Sequence, residues 1–232
     1  MNKDAEEISG ALRYSCYISY AHIEPLEPFV SELYSDLSNE VALYGSKGVF
    51  RDRSEINPGE NWSTAHEQAL KDSACFIVLY TPAYFQKERA WCAREFRMME
   101  LIEEQRLEFL ENKRPLIIPI IIRGRDSLPS VMRSRLHYDF SNLLLTGRFT
   151  GLPNYKEAIK EIAEYATSRC KELEREPEAV IRVRGIRFPE PREIDDWLNE
   201  AIGTKDVSAP FGRDGAVQVG ECFLIIQPAD LW

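Results

Sequence analysis

The chain has 232 residues, a net charge of −9 and 29% charged side chains. That acidic balance excludes a general nucleic-acid binder, which needs concentrated Lys and Arg to meet phosphates, and no apolar run reaches the roughly 18–20 residues of a membrane helix. The opening MNKDAEEISG lacks the apolar core of a signal peptide, so the expectation is a cytoplasmic protein of one medium domain plus an appendage.

Residues 13–20 (RYSCYISY) are rich in aromatic and β-branched side chains and predict a first strand. A loop at 21–24 follows. Pro25 and Pro28 suit a helix start before Phe29, Val30, Leu33, Leu37 and Val41, which recur at helical spacing. Gly45 is placed to stop that helix. Residues 48–52 predict a second short strand, and 53–61 (RSEINPGEN) a polar loop turning at Pro58-Gly59. Residues 62–71 read as a helix, 75–80 (CFIVLY) as a third strand, and 91 to about 111 as a long helix. The run 115–122 (PLIIPIII) is apolar enough for a central strand buried on both faces. Pro119 inside it predicts a bulge or kink.

Residues 136–140 predict a weaker fifth strand and 155–175 a helix introduced by Pro153. Strands alternating with helices imply a parallel sheet covered on both faces. There is no internal repeat. The charged run 172–178, broken by Pro177, marks a boundary. It divides a domain at 11–175 from an extension at 178–232. In the extension, 179–183 predict a strand, 194–202 an amphipathic helix and 217–227 a second strand. Such a small α+β piece either covers part of the main domain or docks to a partner.

Five cysteines lie scattered at 16, 75, 92, 170 and 222 with no CxxC pair, and the histidines at 22, 66 and 137 are far apart. Reduced thiols and no metal site are expected. His22-Ile23-Glu24 has the HxE form of zinc deaminases, but no PCxxC follows. Gly45-Ser46-Lys47-Gly48 lacks the P-loop spacing. Cys92 has no neighbouring base and reads as a half-buried helix thiol. Trp91 and Glu95, four apart, share a helix face just after a buried strand. A carboxylate there can serve a ligand in the crevice at the strand ends. The plain alternative is a solvated helix charge beside a core indole.

Three stretches, taken together, carry a resemblance. YSCYISYAH at 14–22 resembles the first signature of a Toll/interleukin-1 receptor (TIR) domain. FRDRSEINPGE at 50–60 is similar to the second. The pattern from Trp62 through Ala69-Leu70, Ser73, Val78-Leu79-Tyr80 and Tyr84 to Trp91-Cys92 and Glu95 is similar to bacterial and plant-type TIR domains. The resemblance covers roughly residues 11–170. It implies a flavodoxin-like sheet of five mainly parallel strands in the order 2-1-3-4-5, with helices on both faces.

It also implies an activity. Bacterial TIR immune effectors cleave the nicotinamide–ribose bond of NAD+, which is the substrate, with no separate cofactor. By similarity Glu95 is the catalytic carboxylate. Trp91 offers an indole face to the nicotinamide or packs its helix on the sheet. Tyr20 stacks on a ring or closes the strand. Ser19 hydrogen-bonds the ligand or points into the sheet. Arg53 is a candidate for the pyrophosphate or an ordinary loop arginine, and Asn57 a polar contact near the cleft. Arg51 and Asp52 brace the loop. His22 departs from the arginines that some relatives carry there. The resemblance further implies activation by TIR–TIR self-association, a role in anti-phage defence, and a possible upstream sensor acting through the extension. The competing expectation is a non-catalytic TIR adaptor. A receiver domain is excluded, because its acidic positions hold Ser19-Tyr20 and Tyr80-Thr81.

Overall fold

A computed structural model describes residues 11–51, 62–143 and 149–201. Its centre is a five-stranded parallel sheet in the order β2-β1-β3-β4-β5. The strands are β1 (Tyr14–Tyr20), β2 (Gly48–Phe50), β3 (Ser73–Tyr80), β4 (Ile117–Ile121) and β5 (Tyr138–Asp139). This is the flavodoxin-like order that the resemblance implies. β3 is buried along its whole length, as an interior parallel strand covered on both faces must be.

The helices are α1 (Glu27–Leu43), α2 (Trp62–Lys71), α3 (Ala90–Phe109), the one-turn α4 (Ser130–Arg133), α5 (Pro153–Arg175), α6 (Pro177–Arg182) and α7 (Pro191–Ala201). In α1 the buried positions are Phe29, Val30, Leu33, Leu37 and Val41, the apolar stripe read from spacing. Gly45 follows it with φ +62°, the left-handed position a helix stop uses. Pro153 opens α5, where a missing N–H costs nothing.

Two expectations need correction. Pro119 makes no bulge: β3 and β4 keep register from Phe76↔Ile117 to Tyr80↔Ile121. Leu116 O accepts from Phe76 N on the β3 side, and Ile121 O accepts from Phe140 N on the β5 side. By alternation, residue 119 faces the β5 side, where pairing begins only at Ile120↔Tyr138. The missing N–H therefore falls beyond the end of the ladder.

Residues 179–183 are not a strand. Pro177–Arg182 is a helix, followed by a 3-10 turn at Val183–Gly185. Burial falls on Ala179, Val180 and Val183 while Ile181 is 46% exposed, a helical pattern and not an alternating one. The amphipathic helix expected at 194–202 is present as α7, with Ile194 and Leu198 in the main core. The strand expected at 217–227 lies outside the described residues, so the described part of the extension is helical.

Candidate functional site

β1 lies between β2 and β3, so its carboxyl end is the point where chain order reverses and a crevice can open. Tyr17 and Ser19, two apart on β1, point to the same face. α3 crosses that face and sets Glu95 against them. The Glu95 carboxylate is only 4% exposed. Its Oε1 accepts from the Tyr17 hydroxyl at 2.6 Å and from Trp91 Nε1–H at 2.9 Å. Its Oε2 accepts from the Ser19 hydroxyl at 2.5 Å. Three directed donors complement one buried negative charge, and hydrogen bonds to a charged acceptor are the strong ones.

Each direct donor is itself held. The Ser19 hydroxyl lies 2.6 Å from that of Tyr84. Burial, with Cys92 and Glu95 nearby, pushes the Tyr84 phenol well above its ordinary value. Tyr84 therefore keeps its proton and donates it to Ser19, leaving the Ser19 proton for Glu95. On the other side, His66 Nδ1 from α2 lies 2.5 Å from the Tyr17 hydroxyl and 3.2 Å from Glu95 Oε1. The Tyr17 ring stacks on Phe50 at 5.0 Å.

Tyr17, Ser19, Tyr20, His66, Trp91 and Glu95 line a crevice of about 10 Å³, roughly the space of one water. The Tyr20 ring lies 4.4 Å from that of His22, and its hydroxyl points to Glu27 Oε2 at 3.4 Å. The indole of Trp91 meets Phe188, from the extension, at 4.7 Å, and the Arg94 guanidinium at 4.8 Å. Arg94 Nε donates to Pro189 O, and Phe188 N–H to Glu67 Oε2.

Of the residues singled out in the sequence, Glu95, Trp91, Ser19 and Tyr20 therefore meet at one place. Ser19 turns to Glu95, and the cation over the indole is the chain's own Arg94. Arg53 and Asn57 lie outside the described residues, as does Asp52. Arg51 donates to Ser31 and lies over the Tyr34 ring. Cys92 is buried, with Sγ directed at Tyr20 O. Among the described residues no group of three or more His, Cys, Asp or Glu side chains is placed to hold a metal, and no helix is long and apolar enough to cross a membrane.

Tyr17, His66 and Tyr84 escaped the sequence reading as site residues. Two signals were present. Tyr17 shares the period-two face of Ser19. His66 lies one turn before the buried Ala69-Leu70 pair, an apolar position for an imidazole.

A family model described as "TIR domain" matches residues 16–150, more than half of the chain. No curated protein matches it. Among solved structures, the TIR domain of the Toll-related receptor TRR-2 from Hydra magnipapillata is 17% identical, covering 64% of this chain and 98% of that one, with TM-score 0.43. The TIR domains of the activated Roq1 resistosome, which directly recognizes the pathogen effector XopQ, are also 17% identical. They cover 70% of this chain and 98% of that one, with TM-score 0.35.

Proposed function

The chain belongs to the TIR domain family, and from that premise we propose that it is an NAD+ glycohydrolase whose catalytic carboxylate is Glu95. The observation that carries this reading is the carboxylate itself. Glu95 is buried at the crevice beside the carboxyl end of β1, with each oxygen held by directed donors.

The chemistry asks for little more. The nicotinamide of NAD+ is a pyridinium and departs neutral, so no general acid is needed. Oxocarbenium-like charge develops on the ribose, and one fixed carboxylate stabilises it while accepting from the ribose hydroxyls. Capture of the ribosyl centre by water gives ADP-ribose; capture by an adenine nitrogen gives a cyclic isomer. NAD+ is thus substrate, and the reaction calls for no cofactor or metal. Arg53 and Asn57 are the candidates for the pyrophosphate and the cleft edge.

The enzyme is expected to stay quiet until assembled, since head-to-tail TIR–TIR contacts of the heterologous kind can build filaments. A cytoplasmic setting, a defence role against phage and an upstream sensor reached through the extension complete the proposal.

The second reading is a non-catalytic TIR adaptor. The near-complete burial of Glu95 favours it, because a satisfied polar network can serve structure alone. NAD+ consumption by the full chain and by Glu95→Gln, concentrated with a crowding agent, separates the two. Turnover that vanishes in the variant supports the enzyme. No turnover in the assembled parent chain supports the adaptor.

A further inference from the structure

His66 is 1% exposed and has no part in the chemistry above, yet its Nδ1 faces both Tyr17 and Glu95. A proton count decides what that nitrogen carries. Tyr17 has one O–H. Its oxygen lies 2.6 Å from Glu95 Oε1, and two oxygens that close need a proton between them. With Glu95 the carboxylate that the glycohydrolase reading requires, that proton is Tyr17's own. The 2.5 Å contact between the Tyr17 oxygen and His66 Nδ1 then requires a proton from the ring. A bare Nδ1 accepting from Tyr17 would leave two lone-pair contacts, Tyr17 oxygen on Glu95 Oε1 and Nδ1 on Glu95 Oε1 at 3.2 Å.

We propose that His66 is a positioning residue for the Glu95 carboxylate, its Nδ1–H shared between the Tyr17 hydroxyl oxygen and Glu95 Oε1. This rests on the NAD+ glycohydrolase reading and deepens it. The Nδ1–H fixes the Tyr17 oxygen and so keeps the phenolic proton directed at Glu95. Tyr84 does the same for Ser19 at the other oxygen. Two relays, Tyr84 to Ser19 and His66 to Tyr17, hold the carboxylate from opposite sides, and Trp91 adds a third donor. A carboxylate so held cannot rotate away from a developing positive charge. That pre-organisation is felt in the transition state and not in substrate binding.

The ring nitrogen also dictates the substitution that tests it. An Asn amide can place its N–H where His Nδ1–H stands; a Gln amide reaches instead toward the far nitrogen. In the full chain under assembling conditions, His66→Asn keeps kcat within a few-fold of the parent. His66→Gln and His66→Ala lose about tenfold or more, the worth of one hydrogen bond to a charged group, with KM changed little. Tyr17→Phe loses a similar factor, and its combination with His66→Gln adds little further. Nitrogen-15 NMR of the parent chain shows a proton on His66 Nδ1, and that signal moves in Glu95→Gln.

A bare Nδ1 overturns the proposal, as does unchanged kcat in a folded His66→Ala, or equal losses in the Asn and Gln variants. If His66→Ala does not fold, Tyr17→Phe and the NMR signal decide. If the assembled parent chain consumes no NAD+, the glycohydrolase reading falls. The link from His66 to Glu95 is then judged by the NMR signal alone: movement in Glu95→Gln upholds it, and no movement overturns it.

Discussion

Phe188 lies on the indole of Trp91, ring centroids 4.7 Å apart and planes at 52°, although 97 residues separate them in sequence. Arg94 lies over both rings, at 4.8 and 5.3 Å. The segment that supplies Phe188 belongs to the extension, past the end of the family match at residue 150. A nicotinamide that stacks on this side of Trp91 has to displace that ring. Phe188→Ala is expected to raise NAD+ turnover about three- to tenfold, the worth of an aromatic pair converted to population. It should also raise acrylamide quenching of Trp91, read against a Trp91→Phe background. Unchanged quenching would show that Phe188 is no cover.

Glu95→Gln is expected to remove turnover and leave the fold. The Gln oxygen can still accept from Tyr17 and Trp91, and its amide can face a reoriented Ser19. The loss in stability should be about 1–3 kcal/mol, that of one mismatched buried polar contact. Thermal and urea unfolding check this. Collapse of the fold would mean that Glu95 is primarily structural.

Arg106 makes a different kind of prediction, about the frame. It is completely buried in α3, and its guanidinium donates to the carbonyls of Ser73 and Lys71 at the entrance to β3. Desolvation pushes its pKa down to about 10. Arg106→Met keeps the stem but removes the buried donors from both carbonyls. It should cost about 2–5 kcal/mol, measured by denaturant unfolding. A loss below 1 kcal/mol would show that water replaces the guanidinium.

Alkaline stability follows from the thiols. Burial pushes Cys75 up to about 12 and Cys16 well above the ordinary thiol value of 9.0. Between about pH 9 and 12 the unfolded chain has lost these protons while the folded chain holds them. Folding then binds more protons, so stability is complete below pH 9 and falls as pH rises. The slope is at most about 1.4 kcal/mol per pH unit per thiol. Cys75→Ser and Cys16→Ser, followed by urea unfolding from pH 8 to about 10, should reduce it; above about pH 10 the buried phenols, Tyr84 among them, add a slope of the same sign. A slope that survives both substitutions must come from other groups.

Local spacing was enough for most of the frame. The stripe of α1, the stop at Gly45, the apolar runs of β3 and β4 and the Pro153 start of α5 are each set by neighbours within one or two turns, and each appears where the sequence placed it. Residues 179–183 misled because Val180, Ile181 and Val183 favour a strand locally, while the pocket beside Leu12, Cys170 and Leu173 takes a helix face. Strand propensity is a preference for a half-buried pleated surface, and no strand among the described residues pairs with that segment.

The sequence by itself carried the resemblance to the TIR family, in three motif stretches, and set Trp91 and Glu95 on one helix face, because motif residues and a four-residue helical spacing are local facts. What surrounds the carboxylate was decided only by the tertiary structure. Tyr17 and Glu95 are 78 residues apart, His66 and Glu95 29, Ser19 and Tyr84 65. Their meeting depends on β1 lying between β2 and β3 and on the angle at which α2 and α3 cross the sheet. Hydrogen bonding is short in range and directional, so no pattern along the chain specifies which distant hydroxyl or imidazole completes it. The cover of Trp91 by Phe188 has the same origin: the extension fixes it by packing, at a distance in sequence that no motif spans.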